Sequence, residues 1–170
     1  QYLFIAGDLT EGEYVNFKSL KNIALKFKSI PDTKAVIVCG SSDPYNINSM
    51  YEYIEWPRNV YIVKNTECAE RLNFPEDGLC VYAMSWNDES KINVLLLYCD
   101  VDADSKMLPL NIDIVKNKFD YCALGGRHNY AKIRSSGAYC GSPEPMGFDE
   151  EGEHGIVKGT LEKKNTEFSF

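Results

Sequence analysis

The sequence predicts an α/β or α+β layered domain with a sheet buried between other elements, and three observations predict it. Compact apolar runs stop at turns rich in glycine and aspartate, as at Tyr2 to Ala6 before Gly7-Asp8 and at Lys34 to Cys39 before Gly40-Ser41-Ser42-Asp43-Pro44. Such unbroken runs mark strands covered on both faces. An amphipathic helical pattern separates these two runs, so the early chain reads strand, helix, strand. The later strands follow one another with turn signals between them, as hairpins do.

Tyr2 to Ala6 is the first strand and has an acid, Asp8, beyond its carboxyl end. Residues Tyr14 to Ser29 place Val15, Leu20, Ile23, Ala24 and Phe27 at helical spacing. Lys18, Lys21, Lys26 and Lys28 fall on the other side, most simply a solvated face, with phosphate contact the lesser reading. Pro31-Asp32 breaks the helix. Ala35-Val36-Ile37-Val38 forms the second strand. A loop with a short helix around Ser49 to Ile54 follows, then strands at Asn59 to Val63, Leu79 to Trp86 and Ile92 to Leu97. Leu110 to Lys118 reads as a short helix feeding the strand Tyr121 to Leu124. Two further strands, Ala131 to Ile133 and Gly155 to Leu161, flank the turn-rich segment Gly141 to Gly152. No internal repeat, low-complexity tract or linker interrupts this order.

At 170 residues, the chain suits one domain spanning residues 1–170 with a core of its own. The net charge of −7 supplies no global positive field to attract nucleic acid, although it leaves room for a local basic groove. Six cysteines show neither CxxC spacing nor the density of a disulfide scaffold. Cys39, Cys80, Cys99 and Cys122 sit in or beside apolar runs, as reduced thiols of a cytoplasmic protein do. No uninterrupted apolar run, the one through Val94 to Leu97 included, exceeds six residues, far too short to span a bilayer. The chain opens on Gln1 and enters a strand at once, which implies that the natural N-terminus lies upstream.

Ligands of open α/β sheets collect beyond the carboxyl ends of the strands. Asp8, the Ser41-Ser42-Asp43 turn, Tyr98-Cys99-Asp100 and Gly126 to His128 lie at four such ends and predict a common pocket. A structural alternative stands beside this: Asp8 and Asp43 also suit the capping of turns and helices that follow them. The run Phe119 to His128 is the most informative of the four. It reads as a buried strand ending in a Gly125-Gly126 turn that projects a single histidine.

These strand ends resemble the calcineurin-like metallophosphoesterase superfamily and, more narrowly, its SbcD-type DNA repair exonuclease branch. The likeness lies in Leu3-Phe4-Ile5-Ala6-Gly7-Asp8-Leu9, Val38-Cys39-Gly40-Ser41-Ser42-Asp43-Pro44, Val94 to Val101 and Asp120 to Gly125. Its most distinctive part is the tail from Gly141-Ser142-Pro143-Glu144-Pro145-Met146-Gly147-Phe148 through His154-Gly155. The resemblance runs along essentially the whole chain in the family's order. It implies a four-layer α-β-β-α sandwich whose N-terminal strand is missing here, and two metal ions, manganese or similar, that clamp a phosphodiester and generate hydroxide.

The same resemblance implies a degenerate site. The family's opening Asp-x-His motif would precede Gln1. Asp8 matches the bridging aspartate. The Gly-Asn-His-Asp motif reads Gly40-Ser41-Ser42-Asp43, so Ser41 replaces an asparagine ligand and Ser42 the histidine that serves as acid. Tyr98 replaces a strand-end histidine. The closing Gly-His-x-His is reduced to Gly125-Gly126-Arg127-His128. Asp8 and His128, the visible ligands of one ion, survive, whereas Ser41, Tyr98 and Gly126 stand where the other ion's exclusive ligands belong. Neutral hydroxyls, a phenol and a glycine are poor substitutes for imidazole, and loss of a proton donor alone typically costs about 10²–10⁴-fold. Asp100 or Asp102 are the nearby acids that recruitment would use.

The expectation is therefore an SbcD-like protein that is noncatalytic or holds at most one divalent ion, with none expected in this chain as it stands. As a scaffold or partner of an SMC-like ATPase it would act in DNA repair, DNA itself being a partner the net charge does not favour and a membrane none at all. The rival is an active metal-dependent phosphodiesterase or DNA exonuclease with unusual ligands. Two other residues draw the eye. His154 reads as a structural turn histidine rather than a ligand, and Trp56 as a packed aromatic rather than a stacking platform for bases.

Overall fold

The computed structural model describes residues 1–11, 15–46, 49–64, 70–82, 90–101, 119–133 and 135–170. The architecture is mixed, of the α+β class, with few helices and several sheets. Strands β1 (Tyr2–Ala6), β2 (Lys34–Val38) and β3 (Val60–Val63) pair in parallel in that order. Helix α1 (Phe17–Lys28) makes the crossover between the first two. Asn16 caps it by accepting from the Ser19 backbone N–H at 3.0 Å, and Ser29, just before Pro31, closes it.

The second sheet has six strands: β4 (Arg71–Phe74), β5 (Leu79–Tyr82), β6 (Ile92–Tyr98), β7 (Tyr121–Gly125), β8 (Ala131–Ile133) and β9 (Gly137–Tyr139). Their spatial order is β4-β5-β6-β7-β9-β8, with parallel pairing from β5 through β7 to β9 and antiparallel strands at both edges. A separate hairpin joins β10 (Lys158–Thr160) to β11 (Glu167–Ser169).

Side-chain alternation sorts the layers. Val36 and Val38 of β2 pack in one cluster with Val94 and Leu96 of β6, so the two sheets meet face to face. Ala35 and Ile37, the alternate residues of β2, pack with Phe27 of α1 on the far side. Leu95, Leu97, Cys122 and Leu124 turn to the opposite face of the six-stranded sheet and are buried there. Both central strands are therefore covered on two faces, which is why the stretches Ala35–Val38 and Val94–Leu97 run continuously apolar rather than alternating. Each fully buried leucine or valine contributes about 1.5–3 kcal/mol over exposure.

The strands expected in the first sheet occur, with β3 starting at Val60 rather than Asn59, and the short helix expected near Ser49 is a 3-10 turn at Met50–Tyr53. Strand β4 and the short strands β9 and β11 are not legible in the sequence as separate elements. Arg71-Leu72-Asn73-Phe74 alternates polar and apolar residues but over only four positions, and Gly137-Ala138-Tyr139 has only three, too short to stand out; pairing with a neighbour makes them strands. The expected tail strand shrinks to Lys158–Thr160 because its hairpin partner is only three residues long. The end of the strand expected to reach Trp86, the helix expected over Leu110 to Lys118, and Asp102 lie outside the described residues. The cysteines at 39, 80, 99, 122 and 140 are free thiols. Among the described residues, no helix is long and apolar enough to cross a membrane.

Candidate functional site

The carboxyl ends of β1, β2, β6 and β7 converge where the two sheets meet. A Cβ built on Gly125 would fall 1.4 Å from the Ala6 carbonyl oxygen, so β7 ends directly against β1. Tyr98, the last residue of β6, is the register partner of Gly125. Gly7 has φ of +94°, and a Cβ there would lie 2.1 Å from the Tyr98 ring. Only glycine meets both demands, and the tyrosine thereby lies over the turn that carries Asp8. Asp8 itself adopts φ of +51°, a left-handed conformation that aspartate tolerates better than most residues.

Asp8 has a partner on each carboxylate oxygen. Oδ1 accepts from the Ser42 backbone N–H at 2.8 Å, and Oδ2 accepts from the Tyr98 hydroxyl at 2.8 Å. The Ser41 hydroxyl lies 2.9 Å from the Tyr98 oxygen. Because the phenol proton goes to Asp8, the serine is the donor in that second contact. A chain of hydrogen bonds thus runs from Ser41 through Tyr98 to Asp8. Burial raises the Tyr98 pKa, and the adjacent Asp8 carboxylate adds to the rise while the Ser41 contact opposes it. The phenol is therefore held in its protonated, donating form.

Asp43, expected beside the pocket, is 4% exposed and serves the backbone instead. Its Oδ1 accepts from Gly40 N–H at 2.7 Å and Asp8 N–H at 3.1 Å. Its Oδ2 accepts from Thr10 N–H at 3.2 Å and the Tyr51 hydroxyl at 2.6 Å. Four donors consume this carboxylate, which locks the β1 and β2 turns together. Burial, with the Asp43 charge adding to it, pushes the neighbouring Cys39 thiol up to about 12, so it is no nucleophile at neutral pH.

The side chains beyond the end of β7 have other partners. Arg127 pairs with Asp100 at 2.6 Å and lies over the Tyr139 ring at 4.9 Å. Gly126 has φ of +107°. His128 exposes 61% of its side chain and pairs through Nδ1 with Glu150. Glu150 also accepts from Met146 N–H at 2.8 Å, and its pKa is lowered chiefly by that N–H and then by His128. His154 contacts the Ser142 hydroxyl and carbonyl, each at 3.1 Å, as a turn histidine would. Trp56 stacks on Tyr51 at 5.7 Å and donates to its carbonyl at 3.0 Å, which makes it a packed aromatic.

Asp8, Ser41, Ser42, Asp43 and Tyr98 are thus joined by direct hydrogen bonds, whereas His128 and Asp100 are engaged with Glu150 and Arg127. Nothing in the sequence singles out Tyr51, Glu150 or Arg127 as site partners. Tyr51 sits in the short 3-10 turn Met50–Tyr53 and Glu150 in a loop, where no periodicity marks them. Among the described residues, no group of three or more histidine, cysteine, aspartate or glutamate side chains is arranged to hold a metal ion. The donors around Asp8 are neutral hydroxyls and a backbone N–H, which do not fit a dinuclear centre. Compared with known proteins, the chain matches no family model and no curated protein at a significant level.

Proposed function

We propose that this chain is a degenerate SbcD-like metallophosphoesterase homologue, noncatalytic or at most single-metal, that serves as a scaffold or as partner of an SMC-like ATPase in DNA repair. One observation carries the loss of chemistry: the Tyr98 hydroxyl donates to Asp8 Oδ2 at 2.8 Å. A bridging carboxylate must direct lone pairs at its cations, and here each oxygen of Asp8 already spends one on a protein donor, Tyr98 on Oδ2 and Ser42 N–H on Oδ1. Ser41 supports the tyrosine instead of offering a ligand. Gly126 provides no side chain, and Ser42 gives its backbone N–H to Asp8 in place of an imidazole acid. Asp8 and His128 remain the residues for a single divalent ion.

On this reading the domain is the four-layer α-β-β-α sandwich. The α1 layer, the two facing sheets and the burial of the outer sheet face at Leu95 and Leu124 support it. The ATPase partner, the DNA-repair setting and a cytoplasmic location rest on the likeness of the strand-end motifs and of the Gly141-to-Gly155 tail.

The test is a nuclease and phosphodiesterase assay with added manganese, alongside measured metal content per chain. The expected result is no turnover above a mock preparation and no second ion. Robust turnover abolished by Asp8→Ala, with two ions held about 3.5–4 Å apart, would overturn the reading in favour of an active phosphodiesterase.

A further inference from the structure

Two exposed surfaces of this chain are complementary to each other. The outer face of α1 carries Phe17, 50% exposed, and Leu25, 54% exposed, with Lys21 between them at helical spacing. Lys18, Lys26 and Lys28 are also exposed, and the helix contains no acidic residue. This is a local basic stripe with two apolar anchors on a chain of net charge −7. Among the described residues, none of the four lysines forms an ion pair.

The second surface is the loop from Pro143 to Glu153. Phe148 is fully exposed and Met146 is 65% exposed. Glu144, Asp149, Glu151 and Glu153 surround them, also exposed, and the loop contains no lysine or arginine. Its backbone is nevertheless pinned from beneath. Glu150 binds Met146 N–H and His128, Glu150 N–H donates to the Gly147 carbonyl at 3.3 Å, and Ser142 N–H donates to the His128 carbonyl at 2.8 Å. An aromatic tip held in place before any partner arrives loses little entropy on docking. Large exposed aromatics flanked by charge are the usual anchors of an interface.

We propose that copies of this chain associate head to tail, the acidic Phe148 loop of one docking on the basic outer face of α1 of the next. Both halves of the match reside in one chain: acids against lysines, and Met146 and Phe148 against Phe17 and Leu25. A second copy is therefore the occupant that the charge complementarity identifies. α1 packs on the three-stranded sheet, whereas the loop is tied to the end of β7 in the six-stranded sheet. The contact is heterologous, so each added copy leaves one loop and one helix free, and assemblies grow or close into rings. The overall negative charge opposes crowding of copies, which makes the association weak and sensitive to salt.

Sedimentation velocity on the whole chain at about 10–200 µM tests this at low and high salt, about 50 and 500 mM. The expected result is a weight-average mass above the monomer at low salt that falls to the monomer at high salt. Lys18→Glu/Lys21→Glu alters only exposed residues of α1 and adds acids near its N-terminus, where they favour the helix. Phe148→Ser alters only an exposed side chain. Each variant alone should remain monomeric. Their mixture should form a discrete one-to-one dimer that does not grow, because one supplies an intact loop and the other an intact helix face. A wild-type chain that stays monomeric throughout, a variant that still associates alone, or a mixture that fails to pair would each overturn the proposal.

Discussion

The Tyr98 hydroxyl and the Asp8 carboxylate, ninety residues apart in sequence, meet at 2.8 Å and tie the last residue of β6 to the turn after β1. These strands belong to different sheets, so the contact clasps the sandwich at the rim where its strand ends converge. Ser41 extends the clasp to the turn after β2. The Asp8 carboxylate is a hydrogen-bond acceptor that holds three strand ends together.

Replacing Tyr98 by phenylalanine keeps the ring over Gly7 and deletes only the hydroxyl. Asp8 Oδ2 and the Ser41 hydroxyl then lose their common partner. The expected cost is about 1.5–3 kcal/mol, the range for hydrogen bonds to a charged group, measured as a shift in the urea midpoint with unchanged slope. A stability equal to wild type would mean that water replaces the phenol at no cost.

Asp43→Ala should be more damaging than Tyr98→Phe. The substitution strands three backbone N–H groups and the Tyr51 hydroxyl, those of Thr10 and Tyr51 buried and those of Asp8 and Gly40 partly buried. At about 1–3 kcal/mol for each unsatisfied buried donor, partly relieved by entering water, the loss should exceed about 3 kcal/mol. Urea titration of the two variants side by side checks the order.

Gly126→His introduces an imidazole, the residue type a metal ligand would need, yet it should not create metal binding. The backbone there has φ of +107°, which side chains rarely adopt, so the new residue brings about 1–3 kcal/mol of strain. The Tyr98 clasp on Asp8 is also left intact. Manganese titration monitored by thermal unfolding should give a variant less stable than wild type and no more responsive to metal.

Stability should fall in acid partly through Asp120. Burial, the largest influence, works to raise its pKa, but Asn93 N–H at 2.8 Å, Lys164 N–H at 2.7 Å and the Lys163 ammonium at 3.3 Å together lower it. A lowered folded-state pKa means that this carboxylate stabilises the fold above its ordinary range, near pH 4. That contribution is lost as pH falls through the depressed value. The Asp120→Asn variant should therefore be less stable than wild type at neutral pH, with the gap narrowing in acid. Thermal unfolding from about pH 7 to pH 3 measures both.

The sequence by itself determined the strands that are buried on both faces and the ends where they stop. In β2 and β6 the apolar run and the terminating turn are contiguous, so local composition suffices. It likewise marked Asp8, Ser41, Ser42, Asp43 and Tyr98 as strand-end residues. Only the tertiary structure decided what those residues do. Carboxylates at turns look alike in sequence, but Asp43 is consumed by four donors while Asp8 meets a phenol from the other sheet. His128 follows the same logic, because its partner Glu150 comes from a loop twenty-two residues away. Hydrogen-bond partners across sheets and loops are set by how the layers pack, and that packing has no local period in the chain to betray it.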